Sequence, residues 1–264
     1  MRIPEEERPH FSASQLTTYL QCPLMYYYQY ELGIPWKATP SAVAFGGSIH
    51  RAIETVNREL MDNGISKDEA VSAFNKDWTA NLEENEIAWG KPEESAELLD
   101  KGQTLVGLYY DHFRDSKPEA VELKFRIPIL DPTTGLFVES RDLVGKIDAV
   151  VDNGIAEIKS TGRTPNQQEI DANLQITLYS LAYRFLYGTP EGKIQLVALI
   201  KTKEPKLEVV ETHRDELDHT RLVMLTAQII DCIDRKLFYP NPIGGYGCSS
   251  CHYQNECRKW GEKK

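Results

Sequence analysis

The dipeptide Asn153-Gly154, which separates two apolar runs, restricts the fold more than any other feature of the sequence. Asn-Gly between apolar segments is the strongest short-range signal for a β-hairpin, because both residues tolerate the backbone angles of a tight turn. We therefore predict strands over residues 143–151 and 155–160, with Asn153 and Gly154 as the central residues of a two-residue turn.

This turn sets which side chains of the hairpin share a face. It pairs Val150 with Glu157. It also pairs Asp148 with Lys159. Cross-strand partners lie on one face of a sheet, and side chains alternate along each strand. We therefore expect Asp148, Glu157 and Lys159 to project together, within a few ångströms of one another.

Two carboxylates about 5 Å apart repel by roughly 3 kcal/mol at an effective dielectric near 20. A single ammonium offsets only part of this repulsion, so a divalent cation is a natural partner. Mg²⁺ and Mn²⁺ prefer oxygen ligands and keep positions open for water and phosphate. The pattern predicts a catalytic site of Asp148, Glu157 and Lys159 with one or two such ions. The alternative is a surface hairpin with a solvated salt bridge.

The order of the other predicted elements indicates an α/β protein. The first 118 residues are mainly helical, with helices expected after Ser14, from Gly46-Gly47-Ser48, after Ser66, and over about 92–112. Alternating apolar residues predict a strand over 121–129, and a short strand is expected near 136–139. Further on, we predict a helix over 167–187, strands over 194–201 and 207–212, a helix over 215–237, and a Gly-, Pro- and Cys-rich tail.

Three of the five cysteines lie close together near the C-terminus, as Cys248-x2-Cys251-x5-Cys257. Cys22 supplies a fourth thiol from the first predicted helix. Four thiolates suit a [4Fe–4S] cluster or tetrahedral zinc. Such a group would staple the two ends of the chain, which for a loop of about 226 residues between Cys22 and Cys248 is worth roughly 5 kcal/mol. Unrelated free thiols are the alternative.

The net charge of −10 argues against tight, sequence-independent wrapping of duplex DNA. A nucleic-acid path would have to be a local basic groove on an acidic body. The sequence has no apolar run that could span a membrane and no signal-peptide pattern at its start, so we expect no membrane association and a cytoplasmic location.

Four further residues are candidates for the site. Gln175 and Tyr179 are four apart on a predicted helix and share a face, where they could hold phosphate or a base edge. In the alternative interpretation Tyr179 is core and Gln175 is solvated. His50 could complete a metal shell or be an ordinary helix residue. Glu122 is a possible site residue or a solvent-facing charge.

Five segments occur in an order that resembles a known family: FSASQLTTYLQCP, FGGSIHRAIE, VGKIDAVVDNGIAEIKST, QITLYSLAYR and CSSCHYQNEC. The sequence resembles the RecB-like exonuclease branch of the PD-(D/E)XK superfamily, and in particular its iron–sulfur members: the AddB nuclease domain, the CRISPR-associated RecB-like nucleases and the exonuclease V group. The resemblance spans nearly the whole chain, although residues 63–118 match no motif.

The resemblance implies a role for each matching residue. The usual Pro before the first Asp is absent, since Ile147 stands there. Lys159 would be the catalytic lysine, and the QxxxY motif would contact substrate through Gln175 and Tyr179. The metal ligands would be His50, Asp148, Glu157 and the Ile158 carbonyl, and the cluster ligands would be Cys22, Cys248, Cys251 and Cys257.

The resemblance also implies a restriction-endonuclease-like core, a central mixed β-sheet flanked by helices. We expect one nuclease domain over 1–264, with a mainly helical part at 1–118 and the nuclease core at 119–212. A long helix and a cysteine-rich loop closing onto Cys22 would occupy 213–264.

The expected function is a Mg²⁺- or Mn²⁺-dependent deoxyribonuclease with a structural iron–sulfur cluster, acting as an exonuclease on single-stranded DNA or DNA ends. One alternative is a DNA-binding or assembly subunit that is active only with a helicase or another partner; no helicase P-loop is present in the sequence. Another is a zinc-stapled protein. Phage replication, DNA repair and CRISPR adaptation suit the sequence equally.

Overall fold

The structure is a computed structural model that describes residues 9–90, 95–131, 134–135, 137–243, 248 and 251–262. The chain forms two compact units. Unit 1 consists of Met1–Lys37, Phe125–Gly145 and Arg214–Lys264. Unit 2 consists of Ala38–Lys124 and Lys146–His213.

Unit 2 contains a mixed β-sheet. The strand β5 spans Phe137–Val151, and its part from Lys146 onward belongs to unit 2. The other strands of this sheet in unit 2 are β6 (Gly154–Thr161), β7 (Ile194–Ile200) and β8 (Lys206–Thr212). β5 and β6 are antiparallel, β6 and β7 are parallel, and β7 and β8 are antiparallel. β4 (Ala120–Leu130) pairs with β5.

Helices flank this sheet. The remaining elements of unit 2 are β2 (Thr39–Pro40), α3 (Ser41–Asp62), α4 (Lys67–Glu84), β3 (Ile87–Ala88), α5 (Ser95–Phe113), α6 (Gln167–Asp171) and α7 (Leu174–Tyr187). An aromatic cluster of Phe45, Phe74 and Trp78 is central to the core, where α3, α4 and α5 pack against apolar residues of β5 to β8. α7 contacts β6, and α6 contacts β8. This arrangement confirms the predicted α/β class with a mixed sheet flanked by helices.

Unit 1 gathers both ends of the described chain. Its elements are β1 (His10–Ser12), α1 (Ala13–Gln21), α2 (Pro23–Tyr26), a π-helical turn (Tyr27–Glu31), α8 (Glu216–Asp234) and α9 (Gln254–Arg258). β1 pairs in parallel with the first part of β5, with Phe11 opposite Leu143. α1 packs against α8, and Ser12 caps the start of α1 by a capping box with Gln15.

The predicted register of the hairpin was wrong by two residues. Val151 pairs with Gly154, so the central turn residues are Asp152 and Asn153. Both have positive φ, 51° and 55°, as a type I′ turn requires. Gly154 is needed for another reason: a Cβ there would lie 2.7 Å from the backbone oxygen of Lys193. Because the error is an even number of residues, every side chain stays on its predicted face.

Three other boundaries differ from the sequence-based prediction. Gly46 and Gly47 lie inside α3, which begins at Ser41; a Cβ on Gly46 would meet Ser160 Oγ at 3.2 Å, so this glycine allows close packing on β6. The helix predicted over 167–187 is divided into α6 and α7, because Asn173 caps a new helix. The two strands predicted between 136 and 151 are one strand, β5, although residue 136 lies outside the described residues.

No helix within the described ranges combines the length and the hydropathy needed to cross a bilayer.

Candidate active site

The hairpin of unit 2 brings two carboxylates together. Extending the β5–β6 register by one pair places Asp148 opposite Glu157. The Ile158 backbone amide donates a 2.8 Å hydrogen bond to Asp148 Oδ2, which fixes that carboxylate against the neighbouring strand. Lys159 follows two residues after Glu157 and shares its face. The three residues predicted to form the catalytic site are therefore neighbours in the structure.

Burial makes this pair of carboxylates electrostatically costly. Glu157 is 1% exposed and Asp148 is 9% exposed. Within the described part of the chain, Glu157 Oε2 has no hydrogen-bond partner. Burial, and then repulsion by Asp148, raise the pKa of Glu157 well above its ordinary value, while the Lys159 ammonium lowers it. A cation between these carboxylates would relieve both effects.

Lys159 is held by contacts on two sides. Its Nζ lies 3.5 Å from Glu157 Oε1 and donates a 3.0 Å hydrogen bond to Gln175 Oε1. Gln175 Nε2 in turn donates a 2.7 Å hydrogen bond to the Tyr179 hydroxyl. Tyr179 is 5% exposed, and burial together with the charges of Glu157 and Asp148 raises its pKa. Gln175 and Tyr179 are thus part of the same cluster as the carboxylates.

The start of α7 explains why Gln175 reaches the site. Asn173 Oδ1 accepts hydrogen bonds from the backbone amides of Gln175 and Ile176, so the helix begins one residue before Gln175. Side chains four apart on a helix share a face, which brings Tyr179 beside Gln175.

His50 lies at the edge of this cluster, on α3. Its Nδ1 is 3.8 Å from Asp148 Oδ2, and its side chain is 35% exposed. The distance is too long for a hydrogen bond, yet both groups are near enough to approach a common ion. The backbone amide of Ile158 donates its hydrogen bond to Asp148. The Ile158 carbonyl stays a predicted metal ligand.

Glu122 contacts the Lys146 ammonium rather than the two carboxylates of the hairpin. Its backbone has a positive φ of 53°, which is uncommon for a residue other than glycine and occurs often at functional sites. Lys146 precedes Asp148 by two residues on β5 and so lies on the same face. This lysine was missed in the sequence, although its spacing from Asp148 could have revealed it.

A second buried pair lies near Asp148. The Tyr109 hydroxyl donates a 2.9 Å hydrogen bond to Asn57 Oδ1. Burial raises the pKa of Tyr109, and the Asp148 charge raises it further. Asn57 follows His50 by two helical turns, so the sequence carried a signal that both residues lie on one face of α3.

The donor set fits a hard divalent cation that keeps most of its water. Within the described ranges, no three His, Cys, Asp or Glu side chains are arranged to hold a metal ion. Mg²⁺ is usually bound through only one or two carboxylates, with water and substrate phosphate filling its other positions. Asp148 and the unpartnered oxygen of Glu157 match that requirement.

The predicted cluster ligands lie around one pocket of unit 1. The pocket has a volume of about 340 Å³. The four cysteines that line this pocket are free thiols. Burial raises the pKa of Cys251 and of Cys257. In the part of the chain that the structure describes, the sulfurs do not form a closed metal site. The lining residues are Cys22, Pro240, Asn241, Cys248, Cys251, Gln254, Cys257 and Arg258.

The fold and the cluster of Asp148, Glu157 and Lys159 define a nuclease-like α/β protein. The family model of the PD-(D/E)XK nuclease superfamily matches residues 10–258. The chain therefore belongs to the PD-(D/E)XK nuclease superfamily.

Among solved structures, the chain is similar to a candidate exonuclease from Eubacterium rectale, with a TM-score of 0.60 and 11% identity, covering 99% of this chain and 92% of that one. This likeness shows the fold. The protein SSO0001 matches over 95% of this chain and 87% of that one, with 14% identity and a TM-score of 0.40. That TM-score is too low to support a structural argument. A search of curated proteins finds no significant match.

Proposed function

We propose that this protein is a Mg²⁺- or Mn²⁺-dependent deoxyribonuclease whose active site is built on the β5–β6 hairpin. The observation that carries the proposal is the buried Asp148–Glu157 pair beside Lys159. Burial and mutual repulsion raise the pKa of Glu157, and a divalent cation relieves that repulsion. In this proposal Asp148 and Glu157 hold one or two ions, and His50 and the Ile158 carbonyl would be further ligands.

The proposed reaction is hydrolysis of a phosphodiester. The oxygen of water attacks phosphorus, the bond from phosphorus to the leaving oxygen breaks, and that oxygen takes up a proton. A divalent cation supplies activation of the water and neutralisation of phosphate charge. Asp148 and Glu157 provide the oxygen ligands, and the Lys159 ammonium orients the attacking water or stabilises charge on the pentavalent transition state.

We propose DNA ends, and single strands in particular, as the substrate. The support is the resemblance to the RecB-like exonuclease branch, together with the likeness of the fold to a candidate exonuclease. The net charge of −10 also disfavours binding along intact duplex, where affinity depends on neutralising many phosphates.

Digestion of matched linear and circular DNA tests this proposal. Purified protein is incubated with end-labelled single strands, duplex, and their circular forms, with Mg²⁺, Mn²⁺ or EDTA, over a range of metal concentrations. We expect loss of linear single strands, survival of circles, and no reaction in EDTA. A sigmoidal dependence of the digestion rate on metal concentration would indicate two ions. A hyperbolic dependence would indicate a single ion. Cleavage of circles at the same rate would replace the exonuclease assignment with an endonuclease.

We further propose that Cys22, Cys248, Cys251 and Cys257 hold a [4Fe–4S] cluster as a structural staple in the reducing cytoplasm. The support is their position around one pocket of unit 1. Iron, sulfide and zinc are measured after anaerobic purification of the wild type, Cys251→Ser and the control Cys232→Ser. We expect iron and sulfide in the wild type and the control but not in Cys251→Ser. A colourless protein with stoichiometric zinc would make the staple a zinc site.

The acidic charge favours a second candidate function, a nuclease subunit that cuts only with a helicase or another partner. In that case the isolated protein would bind metal at the hairpin but would not digest any DNA. Addition of a helicase that unwinds the labelled duplex would then restore digestion. Full activity of the isolated chain excludes this alternative.

A further inference from the structure

Gln175 is hydrogen-bonded on both sides within the site. Its Oε1 accepts from Lys159 Nζ at 3.0 Å, and its Nε2 donates to the Tyr179 hydroxyl at 2.7 Å. An amide that contacts a substrate must keep a donor or acceptor directed at that substrate. These two contacts use one lone pair of the amide oxygen and one of its two N–H donors, and they join Gln175 to the catalytic lysine and to a buried tyrosine.

The two partners fix which way the amide points. A glutamine amide carries an acceptor oxygen and a donor nitrogen, and a lysine ammonium has donors only. The oxygen must therefore face Lys159, which directs the NH₂ group to Tyr179. Tyr179 stays protonated because its pKa is raised, so its hydroxyl oxygen can accept from Gln175 while keeping its own proton. The rotamer of Gln175 is thus determined by its neighbours.

The contact with Gln175 also limits where the ammonium of Lys159 can go. An ammonium has three N–H groups. One donates to Gln175, and another is directed at Glu157, whose Oε1 is 3.5 Å away. With two donors held, the third has a defined direction. Loss of the Gln175 contact would leave the ammonium on a flexible four-carbon stem with a weaker restraint, the longer contact to Glu157.

We propose that Gln175 is a positioning residue, anchored by Tyr179, that acts mainly by holding the Lys159 ammonium in its working orientation. This inference rests on the proposed function, since it assigns a part in the same reaction. It revises the expectation that the QxxxY motif contacts substrate. A carboxylate at position 175 would add a third negative charge near Asp148 and Glu157.

Kinetics that separate DNA binding from turnover test the proposal. Single-turnover rates and DNA dissociation constants are measured for the wild type, Gln175→Ala, Tyr179→Phe and Gln195→Ala. The last is a matched control, because Gln195 is a half-buried glutamine of β7 whose side-chain amide donates to Glu211 on β8. We expect Gln175→Ala to lower the single-turnover rate about 10- to 100-fold, since small misplacement of a catalytic group has effects of this size, with DNA affinity within about twofold of the wild type.

Gln175→Glu provides the second readout. The added carboxylate favours protonation of Glu157, so the acid limb of the rate–pH profile is expected to move to higher pH. The control Gln195→Glu should leave the profile in place. A tenfold loss of DNA affinity in Gln175→Ala with an unchanged single-turnover rate would overturn the proposal in favour of direct substrate contact.

A measurement that needs no nuclease activity distinguishes failure of this inference from failure of the proposed function. In protein labelled with ¹³C and ¹⁵N at lysine, which leaves the ammonium unmodified, the side-chain signal of Lys159, assigned with Lys159→Arg, is recorded in the wild type and in Gln175→Ala. We expect its chemical shift to change when Gln175 is removed. An unchanged signal overturns the inference even in an inactive protein, whereas a changed signal in a protein that digests no DNA contradicts the proposed function alone.

Discussion

Replacement of Asp148 by asparagine should stabilise the metal-free protein while abolishing its activity. The two side chains have the same shape, and the carbonyl oxygen of the introduced asparagine can still accept from the Ile158 amide, as Asp148 Oδ2 does at 2.8 Å. The substitution removes one of two adjacent buried negative charges. Active sites often contain such stability costs, because the arrangement that binds a cation is unfavourable without it.

The size of the effect follows from Coulomb's law. Opposed side chains in antiparallel strands are about 5 Å apart, and two unit charges at that distance repel by roughly 3 kcal/mol at an effective dielectric of 20. Lys159 offsets part of this, because its Nζ is 3.5 Å from Glu157 Oε1. We expect a net gain of about 1–2 kcal/mol in the free energy of unfolding, or roughly 2–8 °C in melting temperature.

The gain should depend on pH in a defined direction. The folded-state pKa of Glu157 is raised, so Glu157 is protonated in both states at pH values below its unfolded pKa, and the repulsion is absent there. As pH rises through the folded-state pKa, the wild type loses the proton and stability falls relative to the variant. The difference between Asp148→Asn and wild type should therefore grow with pH.

Thermal and urea unfolding in EDTA, over a pH series, measures this difference. Asp152→Asn is the matched control, because its carboxylate is exposed and lies in the turn of the same hairpin; it should change stability by less than about 0.5 kcal/mol. Excess Mg²⁺ should stabilise the wild type and not Asp148→Asn. A destabilised Asp148→Asn protein in EDTA at high pH would refute the electrostatic reasoning.

Three further predictions concern other parts of unit 2. Lys159→Met should lower the single-turnover rate of DNA cleavage at least about 100-fold with little change in DNA affinity; an unchanged rate would remove Lys159 from the mechanism. His50→Ala should weaken Mn²⁺ binding about tenfold in a calorimetric titration, and unchanged affinity would show that His50 does not face the ion. Gly102→Ala should destabilise the fold by about 1–3 kcal/mol, because its Cβ would lie 2.0 Å from the Phe74 ring; Gly162→Ala, with open space around it, is the control, and equal urea midpoints would contradict the packing argument.

The sequence predicted the face of the hairpin but not its register. Turn chemistry identified the turn within two residues, and the period of two kept Asp148 and Glu157 on one side. In the observed register Gly154 closely approaches the backbone of Lys193, a residue that is remote in sequence. Local propensity contains no information about that contact.

Gly46 illustrates the same limit in a helix. Two adjacent glycines favour a helix boundary by propensity, yet both lie inside α3. The reason is tertiary, since α3 packs closely on Ser160 of β6. Likewise, the spacing of Gln175 and Tyr179 predicted a shared face, but only the structure placed Lys159 within hydrogen-bonding distance of Gln175.

The claim on which the account depends is that Asp148 and Glu157 together bind the cation that makes phosphodiester cleavage possible. Its most direct test is the cleavage rate of end-labelled linear single-stranded DNA in saturating Mg²⁺, compared between wild type, Asp148→Asn and Asp152→Asn. We predict rapid, EDTA-sensitive degradation by the wild type and Asp152→Asn, and a rate at least about 1,000-fold lower for Asp148→Asn, on the scale of several kcal/mol for charge stabilisation by a metal. Equal rates for Asp148→Asn and the wild type would contradict the claim.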